Sequence, residues 1–265
     1  MRLIFCGMMV GCFFLLAAVL PVRAEELSGR TIHICGDVAE WPPYIFFERV
    51  EGQKTGKIAG YSVDVIREIL EGQSATVEIR MLPWKRCLYE VEKGDAFQIV
   101  LDATLSAERA AKFHISRPYY TTTPCYFYSK KHHPKGLGIR SAADLKAYRI
   151  NGIAGYNYAD YGLAPDEIKA YLDGHQALIQ KLHRNRCDLF PDWLEVVMGF
   201  AATGRDLLAD KDLGYAPVPG LAPSQFHMMF PKNVLGLELK RIVDEGLREM
   251  AESGRLKELL KQYAP

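Results

Sequence analysis

Tyr119-Tyr120-Thr121-Thr122-Thr123-Pro124-Cys125-Tyr126-Phe127-Tyr128 reads as one extended segment, because aromatic and β-branched side chains suit a pleated surface. What lies on either side gives the segment its meaning. Upstream, residues 31–35 alternate as a strand, residues 61–70 place Val65, Ile66, Ile69 and Leu70 on one helical face, and residues 76–81 alternate again. A helix over 85–92 and a strand over 98–101 follow. Downstream the same alternation starts afresh. Ser141 and Asp144 read as a cap and a first-turn acid, strands are expected at 149–153, 168–171 and 188–190, and helices at 176–182 and 193–200. After the turn-rich 217–223 come a strand over 226–230, an amphipathic helix over 235–252 and, past Gly254, a last helix to Tyr263. Alternation of this kind argues for α/β units around parallel sheet, and its restart argues for two lobes.

The first 24 residues read as an export signal: Arg2 is basic, residues 3–20 carry no ionised group, and Val22-Arg23-Ala24 offers small residues for cleavage before Glu25. Of 33 Lys and Arg and 32 Asp and Glu, removing the signal leaves 31 basic against 32 acidic groups. That balance gives no footing for nucleic acid, and Lys130-Lys131-His132-His133 reads as a solvated loop. Cys35, Cys87, Cys125 and Cys187 remain in an oxidising compartment, too widely spaced for a zinc site, and Cys87 with Cys125 is the expected disulfide. No metal or other cofactor is expected.

Read in order, several landmarks resemble the family 3 solute-binding proteins of ABC importers. They are Trp41-Pro42-Pro43-Tyr44, Gly60-Tyr61-Ser62-Val63-Asp64, Pro83-Trp84-Lys85-Arg86, Ser106-Ala107-Glu108-Arg109 and Ser116-Arg117-Pro118-Tyr119-Tyr120. Asp144-Leu145, Gly155 and the run from Asp188 to Asp192 continue the series. The resemblance implies a two-lobed periplasmic-binding-protein fold of the α/β class with two hinge crossings. Residues 25–120 and 227–265 would form lobe 1, residues 125–218 lobe 2, and residues 121–124 and 219–226 the hinge. It also implies a periplasmic monomer that captures a small polar solute, an amino acid or close relative, for the membrane subunits of an ABC importer. Family members mostly bind polar amino acids in the cleft.

The resemblance assigns site residues position by position. Arg109 matches the arginine that grips the ligand carboxylate, a bidentate task that suits a guanidinium. Thr104 stands where the family offers donors, and could equally cap a turn. Asp192 matches the acid that pairs with the ammonium, although it lies four residues beyond Asp188 where the family has five; the alternative is a helix cap before Trp193. Asp102 replaces a usual serine and is either an extra partner for a cation or a solvated strand end. Trp41 matches the aromatic that packs against the ligand side chain and Tyr44 follows at the turn, the alternative for both being a place in the core; Arg86 faces the cleft or lies along its helix, and Asn157 stands among the donors after Gly155. Tyr156 and Tyr158 alter the pocket's shape. Two rival readings stand beside the binder: a periplasmic dehydratase-like enzyme on the same fold, and a soluble sensory module.

Overall fold

The computed structural model describes residues 27–171 and 174–263; the expected signal lies outside them. The chain runs through β1 (Thr31–Asp37), a hairpin of β2 (Phe46–Val50) and β3 (Gln53–Ala59), α1 (Tyr61–Glu71), β4 (Thr76–Leu82), α2 (Trp84–Lys93) and β5 (Ile99–Thr104). It continues through α3 (Ala107–Lys112), β6 (Phe113–Ile115), β7 (Tyr120–Thr122), β8 (Pro124–Ser129), β9 (Asn151–Ile153) and β10 (Lys169–Tyr171). Next come α4 (Gly174–His183), β11 (Leu189–Trp193), α5 (Leu194–Gly199), β12 (Leu213–Pro217), β13 (Ser224–Pro231), α6 (Val234–Glu252) and α7 (Arg255–Tyr263).

In the first lobe β1 lies parallel to β4 and to β5, with Ile34 opposite both Ile79 and Ile99. Every residue of β5 is buried, as a strand covered on both faces must be. Alternation sorts the β1 side chains: Ile32 and Ile34 pack with Val65, Ile66, Ile69 and Leu70 of α1, while Cys35 packs with Trp84, Cys87 and Val91 of α2. Those four α1 residues are the face that the spacing predicted. Cys35 and Cys87 form the disulfide, with Cα atoms 5.5 Å apart. The expected Cys87–Cys125 bridge is therefore wrong. Cys125 belongs to β8 in the other lobe's sheet, and it and Cys187 are free and buried.

The sheets are not purely parallel as expected. β13 returns from the second lobe at the cleft, where β5 ends, so it must run antiparallel to β5; Phe226 sits opposite Thr104. The resulting order is β4-β1-β5-β13-β6, with β7 also on β13. In the second lobe β11 and β12 flank β8, both antiparallel, and β9 and β10 form a parallel pair.

The expected single extended segment breaks at Thr123, because β7 joins one lobe's sheet and β8 the other's. Glu195 holds this break, accepting from the Thr123 N–H at 2.7 Å and from its hydroxyl at 2.7 Å. Beside it β7 and β13 pair, Tyr120 opposite Phe226, so the two crossings run side by side.

Gly60, at φ 132°, lets α1 begin against the loop after β1, since a Cβ there would run into the Tyr44 carbonyl. That carbonyl accepts from the Ser62 N–H at 2.9 Å, and the contact fixes the loop carrying Trp41.

Candidate functional site

The carboxyl ends of β1 and β5 meet the second lobe at a cavity, the place where open α/β sheets bind ligands. Its wall comprises Asp37, Trp41, Ile45, Trp84, Leu101, Asp102, Thr104, Arg109, Tyr156, Asn157, Trp193 and Phe226. It encloses a space of about 30 Å³, room for about two waters. Larger spaces of about 580 and 380 Å³ open on either flank, reached past Arg109 and past Asp37.

Arg109 is set by α3, whose cap Ser106 accepts its N–H at 3.2 Å. Its Nη1 donates to the Thr104 carbonyl at 2.8 Å and to Thr104 Oγ1 at 3.0 Å, and the guanidinium lies 5.6 Å from the centre of the Trp84 ring. No carboxylate among the described residues pairs with it. Burial pulls its pKa down to about 10, which still leaves it charged at neutral pH. Asn157 comes from the second lobe and donates to Thr104 Oγ1 at 3.0 Å and to the Leu105 carbonyl at 3.3 Å. It thereby ties the lobes together over the cavity.

Asp102 occupies an unusual backbone state, φ 61°, at a strand position. Strain of this kind persists only where the surroundings impose it. Here Oδ1 accepts from Ser62 at 2.5 Å, Tyr119 at 2.6 Å and Tyr120 at 2.9 Å. Oδ2 is buried with no hydrogen-bond partner among the described residues. Burial raises the pKa to about 6, and the three hydroxyls limit the rise. Trp41 joins the same network through Nε1, which donates to Tyr120 Oη at 3.1 Å.

Three expected residues stand elsewhere. Tyr44 stacks on Tyr120 at 3.7 Å between ring centres, in the core behind the cavity. Arg86 points outward and pairs with Glu90, one helical turn on. Asp192 is fully buried inside β11, with Oδ1 accepting the Trp193 N–H at 2.8 Å and Oδ2 2.9 Å from His175 Nε2. Its neighbour Trp193 lines the cavity instead. Strand alternation makes the two choices exclusive.

Sequence reasoning missed Asp37, Trp84, Trp193 and Phe226 as lining residues. Asp37 ends β1, and the strand-end rule was signal enough; for Trp193 the signal was the five-residue count from Asp188. Asp37 Oδ1 accepts the Ala39 N–H at 3.1 Å, and burial pushes its pKa up. Four buried polar atoms on lining residues lack hydrogen-bond partners among the described residues: Asp102 Oδ2, Tyr156 Oη, Trp84 Nε1 and Trp193 Nε1. Orphaned groups around one cavity are what a bound solute would satisfy. Among the described residues no cluster of His, Cys, Asp and Glu could hold a metal ion.

The sequence model for bacterial extracellular solute-binding proteins, family 3, matches residues 34–265. The chain belongs to that family. Family 3 proteins are exported, and their assignment here agrees with relatives of known description. A probable histidine-binding protein of Neisseria gonorrhoeae is 21% identical over 231 residues, covering 85% of this chain and 80% of the relative. The L-cystine-binding protein TcyA of Bacillus subtilis is 23% identical over 239 residues, covering 90% and 83%. Among solved structures, the arginine-, lysine-, histidine-binding protein ArtJ of Geobacillus stearothermophilus superposes with a TM-score of 0.69 at 21% identity, covering 89% of this chain and 97% of that one. The two-lobed α/β fold of family 3 is thus shared, with amino-acid binders among its relatives.

Proposed function

We propose that this protein captures a small zwitterion, an amino acid or close relative, between its lobes and delivers it to the membrane subunits of an ABC importer. The observation that carries the reading is the division of charge in one cavity. Among the described residues Arg109 has no carboxylate partner and Asp102 Oδ2 no donor, and aromatic rings wall the space between the lobes. The carboxylate goes to Arg109 and the cationic nitrogen to Asp102, with Asp37 adding negative charge. Trp41, Thr104 and Asn157 complete the wall, and Tyr44, Arg86 and Asp192 lie outside it. In this reading residues 1–24 direct export to the periplasm and are removed, the protein acts as a monomer, and lobe 1 comprises residues 25–120 with 227–265 and lobe 2 residues 125–218.

Calorimetry on protein unfolded and refolded to strip bound solute tests the proposal, with amino acids, polyamines and dicarboxylates as candidates. Micromolar binding corresponds to about −8.2 kcal/mol. Arg109→Ala should weaken a carboxylate ligand by at least about 30-fold, since a charge left without its buried partner costs about 2 kcal/mol or more. A best ligand that lacks a carboxylate, or unchanged binding by Arg109→Ala, overturns the reading.

A dehydratase-like enzyme is the second reading, favoured by one observation: the Asp102 carboxyl, with a pKa of about 6 suited to proton transfer, lines the cavity. Product formation from prephenate-like substrates would establish it, and their intact recovery excludes it.

A further inference from the structure

We propose, resting on the zwitterion reading above, that Tyr120 is a positioning residue: from behind the cavity its hydroxyl holds Asp102 and Trp41 in the arrangement that selects an amine-bearing ligand. Tyr120 does not line the cavity, yet it touches three residues that do. Its Oη accepts from Trp41 Nε1 at 3.1 Å and donates to Asp102 Oδ1 at 2.9 Å. Its ring is stacked on Phe226, 6° from parallel with centres 4.9 Å apart.

Each contact comes from a different segment: Trp41 from the loop after β1, Asp102 from β5 and Phe226 from β13. Tyr44 also stacks on the Tyr120 ring, 11° from parallel at 3.7 Å. A buried ring held by two stacks has little freedom to turn, so its hydroxyl oxygen is a fixed point for both hydrogen bonds. The two bonds also support each other, because donating to a carboxylate makes the phenol oxygen a better acceptor for the indole N–H. A phenylalanine at 120 would keep the stacks and make neither bond.

The hydroxyls of Ser62, Tyr119 and Tyr120 fill Oδ1 of Asp102, and that leaves Oδ2 for a ligand N–H. Of the three, Tyr120 is the one whose hydroxyl also holds a second wall residue, since Tyr119 Oη donates to Ser62 Oγ instead. The remaining titratable groups about Asp102 do not replace that hydroxyl. Tyr44 meets the network through its ring, Tyr61 of α1 donates to the Tyr119 carbonyl at 2.8 Å, and His227 of β13 bonds the Ser116 carbonyl at 2.7 Å. Asp37 and Arg109 share the cavity wall with Asp102, with no hydrogen bond to it among the described residues.

The test is Tyr120→Phe. The standard amino acids are screened by calorimetry on stripped protein, and each binder is paired with its deaminated analogue, imidazolepropionate for histidine or glutaramate for glutamine. The unaltered protein should prefer the amino acid, and Tyr120→Phe should lower that preference by about tenfold or more while the analogue changes less than about threefold. The rise of affinity with pH, centred near about 6 in the unaltered protein, should move upward, because the ionised carboxylate loses a donor that favours it. In a Trp41→Phe background the same substitution should cost less, since the two variants share one deleted hydrogen bond. An equal loss for amino acid and analogue with an unmoved pH profile marks Tyr120 as structural support and overturns this inference, as does a preference that the variant leaves unchanged; the zwitterion reading survives both. An unaltered protein that binds no amino acid, or binds the deaminated analogue as tightly, overturns the zwitterion reading and this inference with it.

Discussion

Asp192 and Trp193 are adjacent in β11 and face opposite ways: the carboxylate lies 2.9 Å from His175 Nε2 in the lobe interior, and the indole lines the cavity. One residue of register thus separates an internal polar pair from a ligand wall. Asp192→Asn should lower stability by about 1–3 kcal/mol, because it disturbs a buried polar pair, and should leave ligand affinity within about threefold. Urea melts and calorimetry on the same variant check this. An affinity loss above about tenfold with unchanged stability would place Asp192 at the ligand after all.

Asp102 makes both stability and binding depend on pH. Its folded pKa, about 6, is above its ordinary value of 3.8, so the folded state holds the proton more tightly. The associated stability is fully present below about pH 4 and is lost as pH climbs through about 6. Ligand-free protein should therefore weaken across that window by an amount on the order of 3 kcal/mol, and Asp37, shifted the same way by burial, adds to the trend. Affinity for a cationic ligand should rise over the same window, because the ionised carboxylate is the binding form. Asp102→Asn should flatten both profiles. Melts and titrations from pH 4 to 8 that show the same slopes in the variant would remove Asp102 as their source.

Gly199 of α5 lies against the loop after β1, where a Cβ would collide with the backbone of Pro42 and Pro43. Nearby, Arg205 crosses to Glu40 at 3.0 Å, a carboxylate that Arg49 holds at 2.6 Å. Gly199→Ala should act as a wedge, weakening every ligand at least tenfold and enlarging the radius of gyration measured by X-ray scattering with ligand present. Arg205→Ala removes a half-exposed ion pair worth about 0.2–1 kcal/mol and should weaken binding no more than about fivefold, less at high salt. A Gly199→Ala protein that binds normally would show that this contact does not govern closure.

The Cys35–Cys87 bridge closes a loop with a sequence separation of 52 residues between β1 and α2. The chain-entropy estimate for a loop of that length is about 4 kcal/mol, so Cys35→Ser with Cys87→Ser should lower stability by about 2–4 kcal/mol. Non-reducing peptide mapping should recover the Cys35–Cys87 linkage, with Cys125 and Cys187 alkylated only after unfolding. A Cys87–Cys125 peptide would contradict the arrangement.

Local pattern determined much of this protein. The α1 face, the boundaries of β4 and α6 to within a residue or two and the restart after Tyr128 follow from spacing and order along the chain. These depend on periodicity and on residues close in sequence, which a single chain displays directly. Tertiary structure alone decided which partners met. Whether Cys87 reached Cys35 or Cys125, whether Asp192 or Trp193 entered the cavity, and whether β13 ran with or against β5 each depended on the face of a strand or the direction of a returning chain. Asp102 shows the same limit: an aspartate at a strand end looks solvated in sequence, and only Ser62, Tyr119 and Tyr120, brought from distant segments, bury it with one oxygen free. Long-range packing fixes such choices, and strand alternation makes an error of one residue reverse the answer.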